Sequence, residues 1–196
     1  MDHLRHHVAA AVVLVATSLL AGCTAPAPAP PPAAAEPPYH PVASIREVMN
    51  SVIDPSVDVV WNSVKTVIDH GRPIEHAPAT DQEWAEVRRH ALIVSEGANL
   101  LMMPGRPVAP PGAGSLAPGI ELAPEEVRAL IDQSPGGWNQ FARALQDSLQ
   151  PALAAIDKKD PQALFESGDE IDAICESCHQ VFWYPNAGAA APVSAR

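Results

Sequence analysis

The chain has 196 residues and a formal net charge of −11, from 12 Lys and Arg against 23 Asp and Glu. That length allows one domain, or one domain plus a tail. The acidic balance argues against a nucleic-acid backbone as partner, because phosphate repels such a surface. Hydrophobic residues reach 47% with only 5% aromatic, so the apolar content is largely Ala, Val and Leu, which suits helices packed through small side chains. The 22 prolines are unevenly placed and divide the chain.

Residues 1–22 carry Arg5, several histidines and the apolar run "VAAAVVLVATSLL", then "LAGC" ending at Cys23. The run is too short to span a bilayer as a folded helix and has the three-part form of a secretory signal. "LAGC" resembles a bacterial lipobox, which implies cleavage before Cys23 and lipidation of its thiol. Thr24 rather than Asp follows, and in Gram-negative lipoproteins this favours the outer membrane. Residues 24–41, "TAPAPAPPPAAAEPPYHP", are almost all Pro and Ala and cannot build a core. With Cys23 they form a linker over 23–42, an extended spacer of about 3 Å per residue. The last residues, 186–196, have the composition of a disordered tail. The folded unit is expected over 43–185.

Within that unit the apolar residues keep helical spacing. From Ala43 to His70 they are Ile45, Met49, Val52, then Val57, Val60, Val64 and Val67, interrupted by Asp54-Pro55, where a kink or a restart capped by Asp54 is expected. "TDQE" places Thr80 at an N-cap with Glu83 three residues later, a capping box. The seam of this second helix is Trp84, Val87, Ala91, Val94, Ala98 and Leu101, and Pro104-Gly105 must end it. The segment "PGRPVAPPGAGSLAPG" has no pattern of its own and reads as a long loop. A third helical region runs from about Pro124 to Asp157, breakable at Pro135-Gly136-Gly137, with a later seam of Phe141, Leu145, Leu149, Leu153 and Ile156. Asp160-Pro161 opens a fourth helix with a seam of Leu164, Gly168, Ile171, Cys175, Cys178 and Phe182. No strand alternation competes, so the expected fold is all-α, an antiparallel four-helix bundle.

The fourth helix carries the chemistry, in "AICESCHQVFWYP". Cys175 and Cys178 lie on the buried seam, with His179 one turn after Cys175. A c-type haem needs this arrangement: two thiols add across the vinyl groups and the adjacent imidazole binds the iron. Three rivals fit less well. A thioredoxin-like pair needs a helix N-terminus to lower its thiol pKa, and this pair is late in a helix. Zinc wants four ligands, and no second Cys-x-x-Cys or His-x₃-His is present. A disulfide leaves His179 unexplained. Lipidation of Cys23 plus two thioethers accounts for all three cysteines.

A C-terminal helix carrying "CESCHQVFWYP" at the end of a four-helix domain resembles the class II cytochromes c, the cytochrome c-prime family and its low-spin relatives. The resemblance covers about residues 43–185. Class I cytochromes c instead have the motif near the N-terminus with a loop methionine after it. The resemblance implies one covalent haem c on Cys175 and Cys178, His179 as an axial iron ligand, Arg46 near a haem propionate and Met49 facing the iron as sixth ligand. One departure stands out: in cytochrome c-prime the distal residue falls four after the arginine, which here is Asn50, whereas Met49 falls three after. Met102 and Met103 compete for the sixth position, and Arg106 is a second propionate candidate. His90 reads as part of a solvated face, and His40, His70 and His76 have no partner pattern. Trp61, Trp84 and Trp138 are core or pocket walls, and Trp183 and Tyr184 pack the helix end.

The expected function is single-electron transfer by a periplasmic, membrane-tethered mono-haem cytochrome. The alternative is a five-coordinate haem protein that binds or senses a gas such as NO or CO. No distal His/Arg pair for O–O cleavage is recognisable, which argues against a peroxidatic enzyme. The acidic surface suits a redox partner protein with a basic docking patch. Class II relatives often dimerise through their first two helices, so the resemblance also implies a homodimer.

Overall fold

The computed structural model describes residues 39–185. The signal, Cys23, most of the Pro/Ala linker and the tail at 186–196 lie outside the described residues. The described chain is mostly helical, with one small two-stranded sheet.

The first helical stretch has three parts. Helix α1 is Ile45–Val48, a π-helical turn follows over Met49–Ile53, and α2 is Asp54–Ser63. Ser44 opens it with a capping box, its hydroxyl accepting from the Glu47 N–H at 3.2 Å while the Glu47 carboxylate accepts from the Ser44 N–H at 2.8 Å. The π turn has a local cause. Pro55 has no N–H, and its ring crowds the carbonyl one turn back, so the helix widens just ahead of it. The Asp54 N–H then reaches back to the Met49 carbonyl. The expected interruption at Asp54-Pro55 is thus a π turn in a continuing helix, and Asp54 makes no side-chain cap.

The helix ends at Ser63, not near His70. Strands β1 (Lys65–Asp69) and β2 (Arg72–His76) pair antiparallel, with Lys65 opposite His76 and Asp69 opposite Arg72. His70 and Gly71 in the turn have φ of 48° and 77°, the positive values that a two-residue type I′ turn requires. Val67, expected on a buried helical seam, is an exposed strand residue. β-branched residues at 66–68 and a Gly-containing turn outcompete the helical valine spacing there.

Helix α3 is Asp81–Leu101, with the expected Thr80–Glu83 capping box present. All six of its seam residues are buried. A loop leads to α4 (Pro124–Gln133), and Pro135 starts α5 (Pro135–Lys158), so the third region is broken where expected. Helix α6 is Pro161–Phe182, with the Asp160 carboxylate accepting from the Ala163 N–H at 3.1 Å. Helix α5 packs against α6 and α3, and α3 packs against α2 and the π turn. Their shared core includes Ala91, Val94, Ala98, Leu149, Ala152 and Ile171, none with measurable exposure.

The 102–123 loop is tied down despite its composition. The N–H groups of Ile45 and Arg46 donate to the Pro107 and Val108 carbonyls at 2.8 and 2.9 Å. Arg106 is buried and donates to the carbonyls of Leu100 and Ala43 at 2.7 and 2.5 Å and to the Met103 sulfur at 3.0 Å. Its guanidinium joins the end of α3 to the entry of α1. Among the described residues no helix is long and apolar enough to cross a membrane.

Candidate haem-binding crevice

The last two turns of α6 face a narrow apolar crevice of about 40 Å³, partly open to solvent. Cys175, Cys178 and His179 line it from α6, together with Ile174, Phe182 and Trp183. Trp138, Phe141, Ala142 and Leu145 supply the α5 wall, Leu101 comes from α3, and Ile45 and Met49 come from the first helical stretch. The aromatic wall is set by edge-to-face packing: Phe182 meets Trp138 at 5.3 Å and Phe141 at 6.1 Å between ring centres. The Trp138 indole donates to the Leu101 carbonyl at 2.9 Å, so its polar edge is satisfied and its apolar face is free to line the space.

The two thiols are half-buried and not bonded to each other. Burial pushes the Cys175 thiol up to about 11, assisted by Asp172 and Asp54. Cys178 is pushed up to about 12, again first by burial and then by Cys175. Both are neutral at pH 7, and neither has the lowered pKa that a thiol–disulfide exchange centre uses. Burial also lowers the His179 pKa, with Asp54, Glu176 and Glu121 acting in the opposite direction. A neutral imidazole has a free ring lone pair, the form in which histidine ligates a metal. Among the described residues no three His, Cys, Asp or Glu side chains cluster as a bare metal ion would need. Iron carried in a macrocycle asks less of the protein, because the ring supplies the equatorial ligands.

His179 is held in place through its backbone and its ring. Its carbonyl accepts from the N–H groups of Trp183 at 2.7 Å and Tyr184 at 2.9 Å, closing α6. The Tyr184 ring centre is 5.7 Å from the imidazole centre, and the Tyr184 hydroxyl donates to Glu176 at 2.6 Å. From sequence Tyr184 is expected to pack the helix end; its spacing from His179 is visible there, but its partner Glu176 is found only in the folded helix.

Of the three candidate methionines, Met49 alone lines this crevice. It also borders an adjoining cavity lined by Asp54, Cys175, Glu176 and His179. Met102 and Met103 border a different cavity, with Arg128 and Asn139. The structure therefore brings Met49 to the thiols and His179, and leaves Met102 and Met103 elsewhere.

Arg46 is 92% buried, given its 8% exposure, and its guanidinium carbon lies 5.9 Å from the ring centre of Trp183. Its NH1 donates to the Gly114 carbonyl at 2.9 Å. Its Nε and NH2 are buried with no hydrogen-bond partner among the described residues. A buried cation with two unpaired donors is costly, and an anion beside Trp183 would satisfy it. An iron porphyrin with acidic side chains fits this donor set: two thiols and an imidazole on one helix end, a thioether lining the same crevice, apolar walls, and a nearby buried cation without an anion among the described residues. His90 sits on α3 with Glu86 3.1 Å away, outside the crevice lining, and His70 and His76 are in the exposed hairpin. Trp84 is core, and Trp61 packs against α6 at Gly168. Comparison of the chain with protein-family models, with curated proteins and with solved structures finds no match.

Proposed function

We propose that the protein is a single-electron carrier with one covalent haem c, held in an antiparallel four-helix bundle of the class II cytochrome c type. The bundle would comprise the α1–α2 stretch, α3, α5 and α6. The observation that carries the reading is the meeting of Cys175, Cys178, His179 and Met49 at one apolar crevice, near a buried guanidinium with two donors unpartnered among the described residues.

The residues divide the work. Cys175 and Cys178 would hold the haem, each thiol S–H adding across one vinyl group to give a thioether with no atom lost. His179 would give its ring lone pair to the iron, its position fixed by the Tyr184 ring and by its carbonyl, which accepts from the Trp183 and Tyr184 N–H groups. Met49, which lines the same crevice, would offer a thioether to the iron, a ligand that favours the reduced state and raises the potential. Arg46 pairs with a propionate through Nε and NH2. The haem supplies a one-electron Fe(III)/Fe(II) couple, while Trp138, Phe141 and Phe182 exclude water from it. Sequence features support the rest: Cys23 as a lipid anchor, a periplasmic location with the outer membrane favoured, and a partner with a basic docking patch.

Visible spectra of the oxidised and reduced protein, made with c-type haem attachment, test this reading alongside Met49→Ala. The expected result is a low-spin spectrum with a methionine–iron charge-transfer band that the substitution abolishes. A high-spin spectrum that shifts with NO or CO, and is unchanged in Met49→Ala, would favour gas binding instead.

A further inference from the structure

The β1–β2 hairpin is an incomplete sheet. All ten of its strand residues are exposed, including Val67, Ile68 and Ile74 at 40%, 67% and 43% exposure. A two-stranded hairpin with neither face packed is marginal in water and presents two open edges.

The two edges are not equivalent. Pro73 has no N–H, so it must face away from β1, and with the Asp69–Arg72 pair closing a two-residue turn this fixes the pattern. Residues 65, 67 and 69 pair inward with 76, 74 and 72. Thr66 and Ile68 therefore turn their N–H and C=O groups outward along β1. On the β2 edge Pro73 removes one of the outward donors. β1 is the open edge.

That edge is complementary to itself. If β1 meets a second β1 antiparallel about Val67, Thr66 and Ile68 exchange backbone hydrogen bonds with Ile68 and Thr66 of the second copy. In the same register Lys65 lies opposite Asp69, Val67 opposite Val67, and Asp69 opposite Lys65. Among the described residues no Asp or Glu lies within ion-pair distance of Lys65, and Asp69 has only the exposed His70 ring nearby, at 3.6 Å, and no Lys or Arg. Lys65 also borders a groove with Phe165, which is 55% exposed and adds apolar surface at that end.

We infer that the occupant of this edge is a second copy of the chain, giving a two-fold dimer with a four-stranded sheet in the order β2-β1-β1-β2. Such an interface is isologous, as two-fold symmetry demands. It does not involve the crevice and does not depend on what the crevice binds.

The test is sedimentation of the full chain at up to about 0.1 mM, where weak association is measurable. A dimer is expected. Lys65→Asp should weaken it about tenfold, since like charges then face each other twice across the two-fold axis. The double variant Lys65→Asp/Asp69→Lys should restore it. Val67→Cys should form an intermolecular disulfide on mild oxidation, whereas Leu92→Cys on α3 should not. The substituted side chains are exposed, and circular dichroism checks that each variant is folded. A monomer at every concentration without a Val67→Cys cross-link, or a dimer indifferent to the charge reversal, would overturn the inference.

Discussion

The guanidinium carbon of Arg46 lies 5.9 Å from the ring centre of Trp183, joining the start of α1 to the residue that ends the motif helix. Sequence separates these residues widely, yet the fold sets Arg46 beside Trp183, which lines the crevice. The cation there donates to one carbonyl, and its Nε and NH2 have no partner among the described residues, so its cost depends on whether an anion is bound.

That dependence gives a prediction with opposite outcomes in two forms of the protein. In the haem-free chain Arg46→Met should be neutral or slightly stabilising, because it removes an unpaired buried cation. In the haem-bearing protein it should cost about 1.5–3 kcal/mol, the worth of a hydrogen bond to a charged group. Urea unfolding of both forms measures the difference. Equal effects in the two forms would mean that Arg46 does not pair with the haem.

The approach of α3 to the π turn is equally specific. A Cβ on Gly97 would lie 3.0 Å from Ile53 Cγ1 and 3.4 Å from Val52 Cγ1, so glycine lets α3 seat the turn that carries Met49. Gly97→Val should lower stability by about 1–3 kcal/mol through overpacking. It should also weaken the methionine–iron band by shifting the turn. A thermal melt and a visible spectrum check this; an unchanged melting temperature and band would rule out the close-approach role.

Thiol chemistry distinguishes the haem reading from a redox dithiol. With Cys175 and Cys178 pushed up to about 11 and about 12, the haem-free folded chain should react slowly with iodoacetamide at pH 8. The thiolate is the reactive form and a raised pKa depletes it. The rate should climb through pH 11, and in urea at pH 8 it should rise to that of an ordinary thiol. Fast alkylation of the folded chain at pH 7 would point to activated thiols.

The net charge of −11 predicts that electron exchange with a small basic redox protein slows as salt rises, since ions screen the steering field over about 10 Å at 0.1 M. Stopped-flow rates over a range of ionic strength measure it. A flat profile would remove electrostatic docking from the account.

Helix α3 was legible in full, because a capping box and an unbroken seam of Trp84 to Leu101 agree on one periodicity. The hairpin was not. Val60, Val64 and Val67 keep helical spacing by coincidence, and the competing signal, β-branched residues before His70-Gly71, is short and local. Asp54-Pro55 announced an interruption, but a missing N–H does not say whether the helix restarts or widens. At the site, Cys175, Cys178 and His179 stood out from spacing alone, as neighbours on one helix. The family resemblance already put Met49 ahead of Met102 and Met103; that Met49 alone of the three lines the crevice, and that two Arg46 donors lack partners among the described residues, are visible only in the tertiary fold, since both depend on what distant segments bring together.

The intact mass of the full chain, made with c-type haem attachment and measured after denaturation, tests the central claim most directly. The account predicts a mass increased by one haem that survives denaturation and is lost in Cys175→Ser/Cys178→Ser. A protein with the mass of the bare polypeptide, or one whose haem washes away on unfolding, would contradict it.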